Sequence, residues 1–261
     1  MKKMKKINLL FIMVIVFLSS CEPITDRDEL MNTTDVDGVE LIATQSTVGG
    51  NKITLKMNTP GITGHWDYNL GKAFTDEIEF VYPIPGNSTF TFNGTLGAEF
   101  FTKTIDVQID QLDNPLDQDW YDLVSTDTSV GKTWVFNKSV PYWYMIAPNN
   151  IDGWQGMWWD ATCCVNDGNS DGKMTFNLDG AANYIRTATT GATPENGGFV
   201  LDVKNRKLYF NGGLNILGDD ANRANPDGVY DIISLTEDEL ILHTPLTPAG
   251  DSGWVWIFKP E

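Results

Sequence analysis

Aromatic residues are concentrated in one stretch of the sequence that is also rich in proline, asparagine and glycine. Tyr142, Trp143 and Tyr144 follow Pro141, and three more tryptophans lie within 154–159. Such rings stack on the C–H faces of sugar rings, while nearby polar groups hydrogen-bond the sugar hydroxyls. Proline and glycine indicate loops, where so many exposed rings require a ligand or a cover. The stretch therefore predicts a carbohydrate-binding surface.

The residues predicted to bind the glycan supply ring faces or a carboxylate. They are Tyr142, Trp143, Tyr144, Trp154, Trp158, Trp159 and Asp160. We expect at least two of the four tryptophans to touch the ligand, with Asn149, Asn150 and Gln155 as hydrogen-bond partners. The alternative is that half of the rings only plug the end of the domain that carries them.

A second candidate site is the segment that contains Asp167, Asn169 and Asp171. Their alternating positions match a calcium-binding loop, which makes a structural calcium ion one interpretation. The twelfth position of such a loop is Leu178 here, so the usual bidentate glutamate is missing. The pattern therefore favours an Asx-rich turn between strands, and no other cofactor is predicted.

Residues for catalysis are sparse. The two histidines, His65 and His243, do not neighbour a serine or cysteine elbow, and zinc or phosphate-loop signatures are missing from the sequence. A sandwich glycosidase would show acids alternating along one strand, and Glu77 with Glu79 is the nearest approach. Because carboxylates far apart in sequence can meet in a fold, a glycoside hydrolase remains an alternative to the non-catalytic prediction.

The elements that must position these residues are strands. Short β-favouring runs are broken by glycine, proline and asparagine, and no stretch sustains a helical period, which predicts an all-β protein. The runs at 52–57 and 102–109 alternate apolar and polar residues, as strands with one buried face do. We expect an immunoglobulin-like sandwich over 38–112 and a second β-sandwich or jelly roll over 128–261, with a lipocalin-like barrel as the alternative.

Two segments are predicted to connect the folded units. Residues 113–127 are a polar linker, of which a part is expected to pack because Trp120 and Tyr121 are costly to leave exposed. Residues 22–37 are an acidic tether with little apolar content. Trp134, Trp254 and Trp256 lie in compact apolar strands and are expected in the core.

The first 21 residues have the pattern of a bacterial lipoprotein signal. A basic head precedes an apolar run over 9–18 that is short for a membrane span, and LSSC then forms a lipobox. In that pattern cleavage precedes the cysteine, so Cys21 is predicted to carry the lipid anchor. Export would place Cys163 and Cys164 in an oxidising compartment. A disulfide between neighbours is strained, so a bond and two reduced thiols both remain open.

The charge of the chain limits its partners. The net charge is −17 at pH 7, which repels phosphate backbones, so nucleic acid is not expected as a partner. A neutral polysaccharide is compatible with this charge. The alternative is that the acidic residues only keep the protein soluble.

The segment 38–112 resembles a PKD-type (polycystic kidney disease repeat) immunoglobulin-like domain. The residues that carry the resemblance are the glycines and aromatics of one strand–turn–strand pattern: Gly61, Gly64-His65-Trp66-Asp67-Tyr68, Gly71, Phe80, Tyr82, Gly86 and the strand Thr104–Ile109. The resemblance implies a spacer of immunoglobulin-like fold.

The layout of the whole chain is similar to that of surface glycan-binding lipoproteins of Bacteroidetes-type polysaccharide-utilisation systems. Further residues that carry this resemblance are Lys132–Val135, Trp158-Trp159, Met174–Phe176, Asp179-Gly180, Tyr230–Thr236, Asp238–Leu240 and Trp254–Phe258. It implies a non-catalytic protein that binds a polysaccharide such as a β-glucan for neighbouring transporter components. It also implies a lipid anchor in the outer membrane and display towards the cell exterior, which the acids after Cys21 favour.

Overall fold

The computed structural model describes residues 35–150, 158–161, 170–218, 225 and 227–261. Regular structure in these residues is almost entirely β, which confirms the all-β prediction. A 3₁₀ turn at Val36–Gly38 and one short α-helix, α1 (Gln118–Val124), complete it. Within the described residues, neither helix has the length and apolar content needed to cross a bilayer.

Residues 41–109 form two antiparallel sheets, which we call the N-terminal unit. The first sheet has the order β1-β2-β5, with β1 (Leu41–Gln45), β2 (Lys52–Met57) and β5 (Glu77–Val81). The second has the order β4-β3-β6-β7, with β3 (Thr63–Asp67), β4 (Lys72–Ala73), β6 (Gly86–Leu96) and β7 (Glu99–Ile109).

Aromatic contacts join the two sheets of the N-terminal unit. Phe80 of β5 packs against Phe90 of β6 at a centroid distance of 5.5 Å, and Tyr82 approaches the same ring at 5.2 Å. Trp66, Phe90 and Phe92 are all fully buried. Edge-to-face aromatic pairs contribute about 0.5–1.5 kcal/mol beyond their burial, so these contacts hold the sheets together.

Helix α1 lies in the segment 113–127. The carboxylate of Asp117 accepts a hydrogen bond from the backbone N–H of Asp119 and so caps the helix at its N-terminus. Trp120 and Leu123 are buried, and the Trp120 ring lies 6.0 Å from that of Phe199. The helix therefore covers one end of the domain that follows it.

The C-terminal part of the chain is a closed antiparallel barrel of eight strands. They are β8 (Lys132–Phe136), β11 (Lys173–Asn177), β12 (Asn183–Thr187), β13 (Glu195–Asp202), β14 (Lys207–Phe210), β15 (Val229–Leu235), β16 (Leu240–Thr244) and β17 (Gly253–Pro260). The barrel closes where Phe258 and Pro260 of β17 pair with Phe136 and Trp134 of β8.

The barrel corrects the expectation of a C-terminal β-sandwich or jelly roll. Each barrel strand pairs with a neighbour on both sides, so one continuous wall replaces two stacked sheets. A barrel wall and a sandwich sheet show the same alternation of buried and exposed residues, so the strand pattern alone does not distinguish them. The alternative of a closed barrel is the one that the structure shows.

Aromatic rings fill the barrel. A run of ring contacts crosses the interior from Phe176 to Tyr184 at 5.0 Å, to Phe210 at 4.4 Å, to Tyr230 at 5.6 Å and to Trp256 at 5.9 Å. Phe176, Tyr184, Tyr230 and Trp256 are fully buried. Trp134, Trp254 and Trp256 are buried too, as their apolar strands predict. The interior described here is a packed core.

The two ends of the barrel differ in their connections. At the end covered by α1, the strands are joined by the short turns 178–182, 203–206 and 236–239. The connections at the opposite end, which we call the loop end, include 137–142, 188–194, 211–218 and 245–252. Binding residues concentrate on loops that a rigid scaffold positions, so the loop end is where a site is expected.

Candidate functional site

The candidate site is built on a hairpin beside the barrel wall at the loop end. Strands β9 (Trp143–Ile146) and β10 (Trp159–Ala161) pair with each other, and β9 also pairs with the first half of β17. In this register Met145 lies opposite both Trp159 and Trp254. Cross-strand partners share a face, so the hairpin brings tryptophans that are almost one hundred residues apart onto one surface.

Four residues, Trp143, Trp158, Trp159 and Trp254, form what we call the tryptophan cluster. The ring of Trp159 lies 6.2 Å from that of Trp143 and 6.0 Å from that of Trp254. Trp143 and Trp254 are buried, at 2% and 8% exposure, whereas Trp159 is 37% exposed and Trp158 is 59% exposed. The exposed ring of Trp159 therefore rests on two buried indoles.

The backbone of Trp158 is fixed to the same hairpin. Its N–H donates to the carbonyl oxygen of Met145 at 3.0 Å, which holds the backbone against β9 just before β10 begins. Val140 and Leu246, on neighbouring connections at the loop end, are 42% and 43% exposed. The loop end thus exposes several large apolar side chains, whose solvation is unfavourable unless a partner covers them.

Tyr142 lies on a connection, as the sequence predicts, but Trp143 and Tyr144 belong to strand β9, so the expectation that these two lie on a loop is wrong. All three side chains are buried, so the expectation of exposed rings is wrong for each. Tyr142 and Trp143 are buried partly because they pack against Phe136, whose ring lies 5.0 Å from that of Tyr142 and 5.6 Å from that of Trp143. The ring of Tyr142 packs against that of Trp143, which in turn contacts Trp159, so these two buried rings support the site.

Asp160 is separated from the ring of its neighbour Trp159. Successive strand residues point to opposite faces, so Asp160 shares the outer face of the hairpin with its cross-strand partner Tyr144. Burial raises the pKa of Tyr144, and the charge of Asp160 raises it further. Asp160 is therefore not beside the exposed face of Trp159.

The same outer row continues across the barrel to an ion-paired group. Asp231 accepts from Lys207 Nζ at 2.5 Å, and its other carboxylate oxygen lies 3.3 Å from His243 Nδ1. His243 is 1% exposed, and its Nε2 has no hydrogen-bond partner among the described residues. Burial lowers the pKa of His243, although the charge of Asp231 opposes this shift.

This Asp231–His243 pair resembles a general-base dyad only in its geometry. The cross-strand neighbour of His243 on β17 is Val255, which belongs to a buried apolar cluster with Tyr144 and Ile257. The described residues thus surround His243 with buried apolar side chains and place no hydrogen-bond partner at its Nε2.

The other predicted site residues fall mostly outside the described residues. Cys21, Trp154, Cys163, Cys164, Asp167 and Asn169 lie outside them. Asp171 lies within them, and a hydrogen bond from Thr190 lowers the pKa of its carboxyl group. Among the described residues, histidine, cysteine and acidic side chains form no group of three able to hold a metal ion. The calcium loop stays a prediction.

Trp254 is the residue of this site that its sequence pattern did not indicate as functional. It lies in an apolar strand and is buried, as expected of a core residue, yet its ring also packs against that of the exposed Trp159. Its position at the loop end of β17, next to Gly253, is the sequence signal that could have suggested it. Comparison with known proteins adds no assignment, because no protein-family model matches the chain and no curated protein matches it significantly.

Proposed function

We propose that this protein binds a polysaccharide without cleaving it, through the exposed face of the tryptophan cluster. The observation that carries the proposal is the exposure of the adjacent residues Trp158 and Trp159 at the loop end, with the ring of Trp159 backed by the buried rings of Trp143 and Trp254. A ring whose orientation is already fixed loses little conformational entropy when a sugar stacks on it.

The expected affinity follows from the number of rings. Two stacking contacts contribute about 1–3 kcal/mol in total, whereas a dissociation constant of about 1 mM corresponds to about 4.1 kcal/mol. The two rings alone therefore give weak binding. We infer that hydrogen bonds from the surrounding loops and contact with several consecutive sugar units supply the remainder, which favours a polymer over a monosaccharide.

The charge of the protein supports a neutral glycan. At a net charge of −17, the chain repels acidic polysaccharides and nucleic acids at moderate ionic strength. A β-glucan, a mannan or a xylan carries no charge that would oppose binding. We keep a β-glucan as the first polymer to test.

The proposed setting is a lipoprotein on the exterior face of the outer membrane, anchored at Cys21. The chain enters the barrel through α1, and the loop end lies at the opposite end of the barrel. In this proposal the N-terminal unit is a PKD-like spacer, and the loop end carries the glycan towards neighbouring transporter components. The acidic tether at 22–37 would give the assembly its reach.

A closed barrel is also the architecture of small-ligand carriers, which makes that function the second candidate. Such a carrier would need an interior cavity, which Trp254 and Trp256 would line. The ring of Trp256 instead lies 5.9 Å from that of Tyr230 and is fully buried, within the packed interior. The barrel interior thus favours a structural core over a binding cavity.

A glycoside hydrolase receives little support from the acids that could suggest one. Glu79 pairs with Lys52 at 2.8 Å, and Glu77 lies 3.6 Å from Lys56. All four side chains are at least one third exposed, on one face of the sheet of β2 and β5. These acids are surface ion-pair partners rather than a catalytic pair facing a cleft.

The test is binding of the full chain to β-glucan, mannan and xylan, measured by affinity electrophoresis and calorimetry. We expect retardation by at least one neutral polymer, weaker binding by Trp158→Ala, and no release of reducing sugar. Val130→Ala is a matched control, because Val130 is a 71% exposed apolar side chain remote from β10 in sequence. Failure to bind any polymer, equal binding by Trp158→Ala, or release of reducing sugar would contradict the proposal.

A further inference from the structure

The sheet β4-β3-β6-β7 of the N-terminal unit carries a groove on its outer face, remote in sequence from the tryptophan cluster. Its volume is about 460 Å³, and its lining includes His65, Phe74, Asn93, Thr95, Phe100 and Thr102. This volume is in the range of small-molecule sites. Nothing in the sequence pattern pointed to it.

The strand register explains the lining. Trp66 and Phe92 pair across β3 and β6 and are fully buried, so they face the core. The next row, His65 opposite Asn93 and Asn93 opposite Thr102, must then face outwards. A third row adds Thr63, Thr95 and Phe100 to the same outer face, since Thr95 pairs with both.

Two phenylalanines flank this floor, and both are unusually exposed. Phe74 is 77% exposed and Phe100 is 90% exposed. Phe74 directly follows β4, one edge strand of the sheet, and its ring lies 5.1 Å from that of His65. Phe100 belongs to β7, the opposite edge strand. Exposed rings on both sides of a concave floor are typical of a surface that stacks on a ligand.

The floor between the rings offers hydroxyl and amide groups. The hydroxyls of Thr63 and Thr95 lie 2.8 Å apart, and the hydroxyl of Thr102 donates to Asn93 Oδ1 at 2.9 Å. That bond orients the side-chain amide of Asn93, whose NH₂ group is a hydrogen-bond donor. The floor can therefore both donate to and accept from a hydroxylated ligand.

The described lining of the groove contains no aspartate, glutamate, lysine or arginine, and its one titratable side chain is His65, although the chain as a whole has a net charge of −17. A charged ligand would find neither a carboxylate nor a lysine or arginine there. A purely apolar ligand would bury the threonine and asparagine groups without partners, which is costly. A neutral molecule with C–H faces and hydroxyls satisfies both the walls and the floor.

We propose that this groove is a second carbohydrate-binding site, which takes one or two units of a neutral saccharide between Phe74 and Phe100. It goes beyond the site at the loop end and rests on the proposed function only in the choice of sugars to test. Two separate sites on one chain raise the effective concentration of a polymer at each, so a long glycan binds more tightly than either site alone.

The test is an amide and indole NMR titration of the isotope-labelled full chain. The probes are cellotetraose, laminaritetraose, xylotetraose and mannotetraose, which are neutral and soluble. We expect saturable shifts of the Gly64 and Gly94 amides, which line the groove, with at least one probe. Phe74→Ala and Phe100→Ala should each weaken this binding roughly 2- to 12-fold, because each removes one stacking ring.

Control variants separate the two sites. Trp158→Ala should leave the shifts of the Gly64 and Gly94 amides unchanged, and Val48→Ala, which removes a 96% exposed apolar side chain, should leave both sites unchanged. Because Phe74 and Phe100 are so exposed, their alanine variants should keep the melting temperature of the native chain.

The outcomes distinguish the two proposals. Shifts at the tryptophan indoles without shifts at the two glycines would overturn the second site and leave the proposed function standing. The reverse pattern would support the second site and refute the function proposed for the loop end. Equal shifts with hexanol, or line broadening with protein concentration that Phe100→Ala removes, would overturn the saccharide assignment in favour of an apolar ligand or a second copy of the chain.

Discussion

Trp158 and Trp254 belong to one cluster but should respond to substitution in opposite ways. Trp254 is 8% exposed and supports Trp159 from beneath, whereas Trp158 is 59% exposed and presents its ring to solvent. Replacing each by alanine therefore separates the effect of supporting Trp159 from the effect of contacting the glycan. We expect Trp254→Ala to act mainly on folding and Trp158→Ala mainly on binding.

The magnitudes follow from burial. Truncation of a buried tryptophan costs about 3–5 kcal/mol of unfolding free energy, and Trp254 is covered almost completely. Trp158 has about two fifths of its surface covered. An aromatic side chain buries about 150–250 Å² when fully covered, so its loss here removes about 60–100 Å² of buried surface, or about 1.5–2.5 kcal/mol. The lost stacking contact weakens glycan binding by about 0.5–1.5 kcal/mol, or roughly 2- to 12-fold.

The assay is urea unfolding of each variant beside calorimetric titration with the bound polymer. Trp254→Phe should recover much of both stability and binding, because a ring again backs Trp159. The coupling between Trp159 and Trp254, from a double-mutant cycle, should be about 0.5–1.5 kcal/mol. A loss of stability in Trp158→Ala as large as that in Trp254→Ala, or no coupling between Trp159 and Trp254, would refute the reasoning.

Three further predictions concern pH, glycine and calcium. Burial lowers the pKa of His243, so the unfolded chain binds a proton at this residue first as the pH falls. The contribution of His243 to the unfolding free energy should therefore be constant above about pH 6.5 and decrease below it. In His243→Leu, the urea midpoint should change less between pH 5 and 7 than in the native chain. Gly131 has φ +82°, and a Cβ there would lie 2.2 Å from the carbonyl oxygen of Phe176. Gly131→Ala should therefore lower the urea midpoint by more than Gly180→Ala, where φ is +67° but the space is open, so that only about 1–2 kcal/mol is lost. If the segment ending at Asp171 is an Asx-rich turn, calcium and EDTA should give the same melting temperature by calorimetry, and a rise with calcium would refute it.

The all-β class could be predicted because the strands alternate clearly, but barrel closure could not. Closure depends on the pairing of Phe258 with Phe136, two residues far apart in the chain. Both residues face the interior, as they would in a sandwich. Local patterns report which face of a strand is buried and carry no information on the partner that a distant strand selects.

Helix α1 was missed although its signals are present. Trp120, Leu123 and Val124 have the i, i+3, i+4 spacing of one helical face, and Asp117 is a suitable cap. The helix has seven residues, which is too short for a period to repeat, and its acidic surroundings indicated a linker. Packing against the end of the barrel, rather than intrinsic propensity, stabilises such a short helix.

The candidate site was only partly predictable for a similar reason. Trp158 and Trp159 are exposed at the loop end, close to the predicted surface, whereas Trp143 and Tyr144 lie in strand β9. The four apolar residues of β9 are typical of a strand that is covered on both faces. The flanking proline and asparagine residues obscured this, because they mark the ends of a short strand as readily as they mark a loop.

The double pairing of β17 has a consequence for the order in which the protein matures. Its second half closes the barrel against β8, and its first half holds β9 and carries Trp254. Contacts between segments so distant in sequence form slowly, because a long loop must first be closed. During synthesis the barrel cannot complete its wall until β17 has left the ribosome. The tryptophan cluster must wait for the same event, so a nascent chain cannot display the site before its barrel is able to fold.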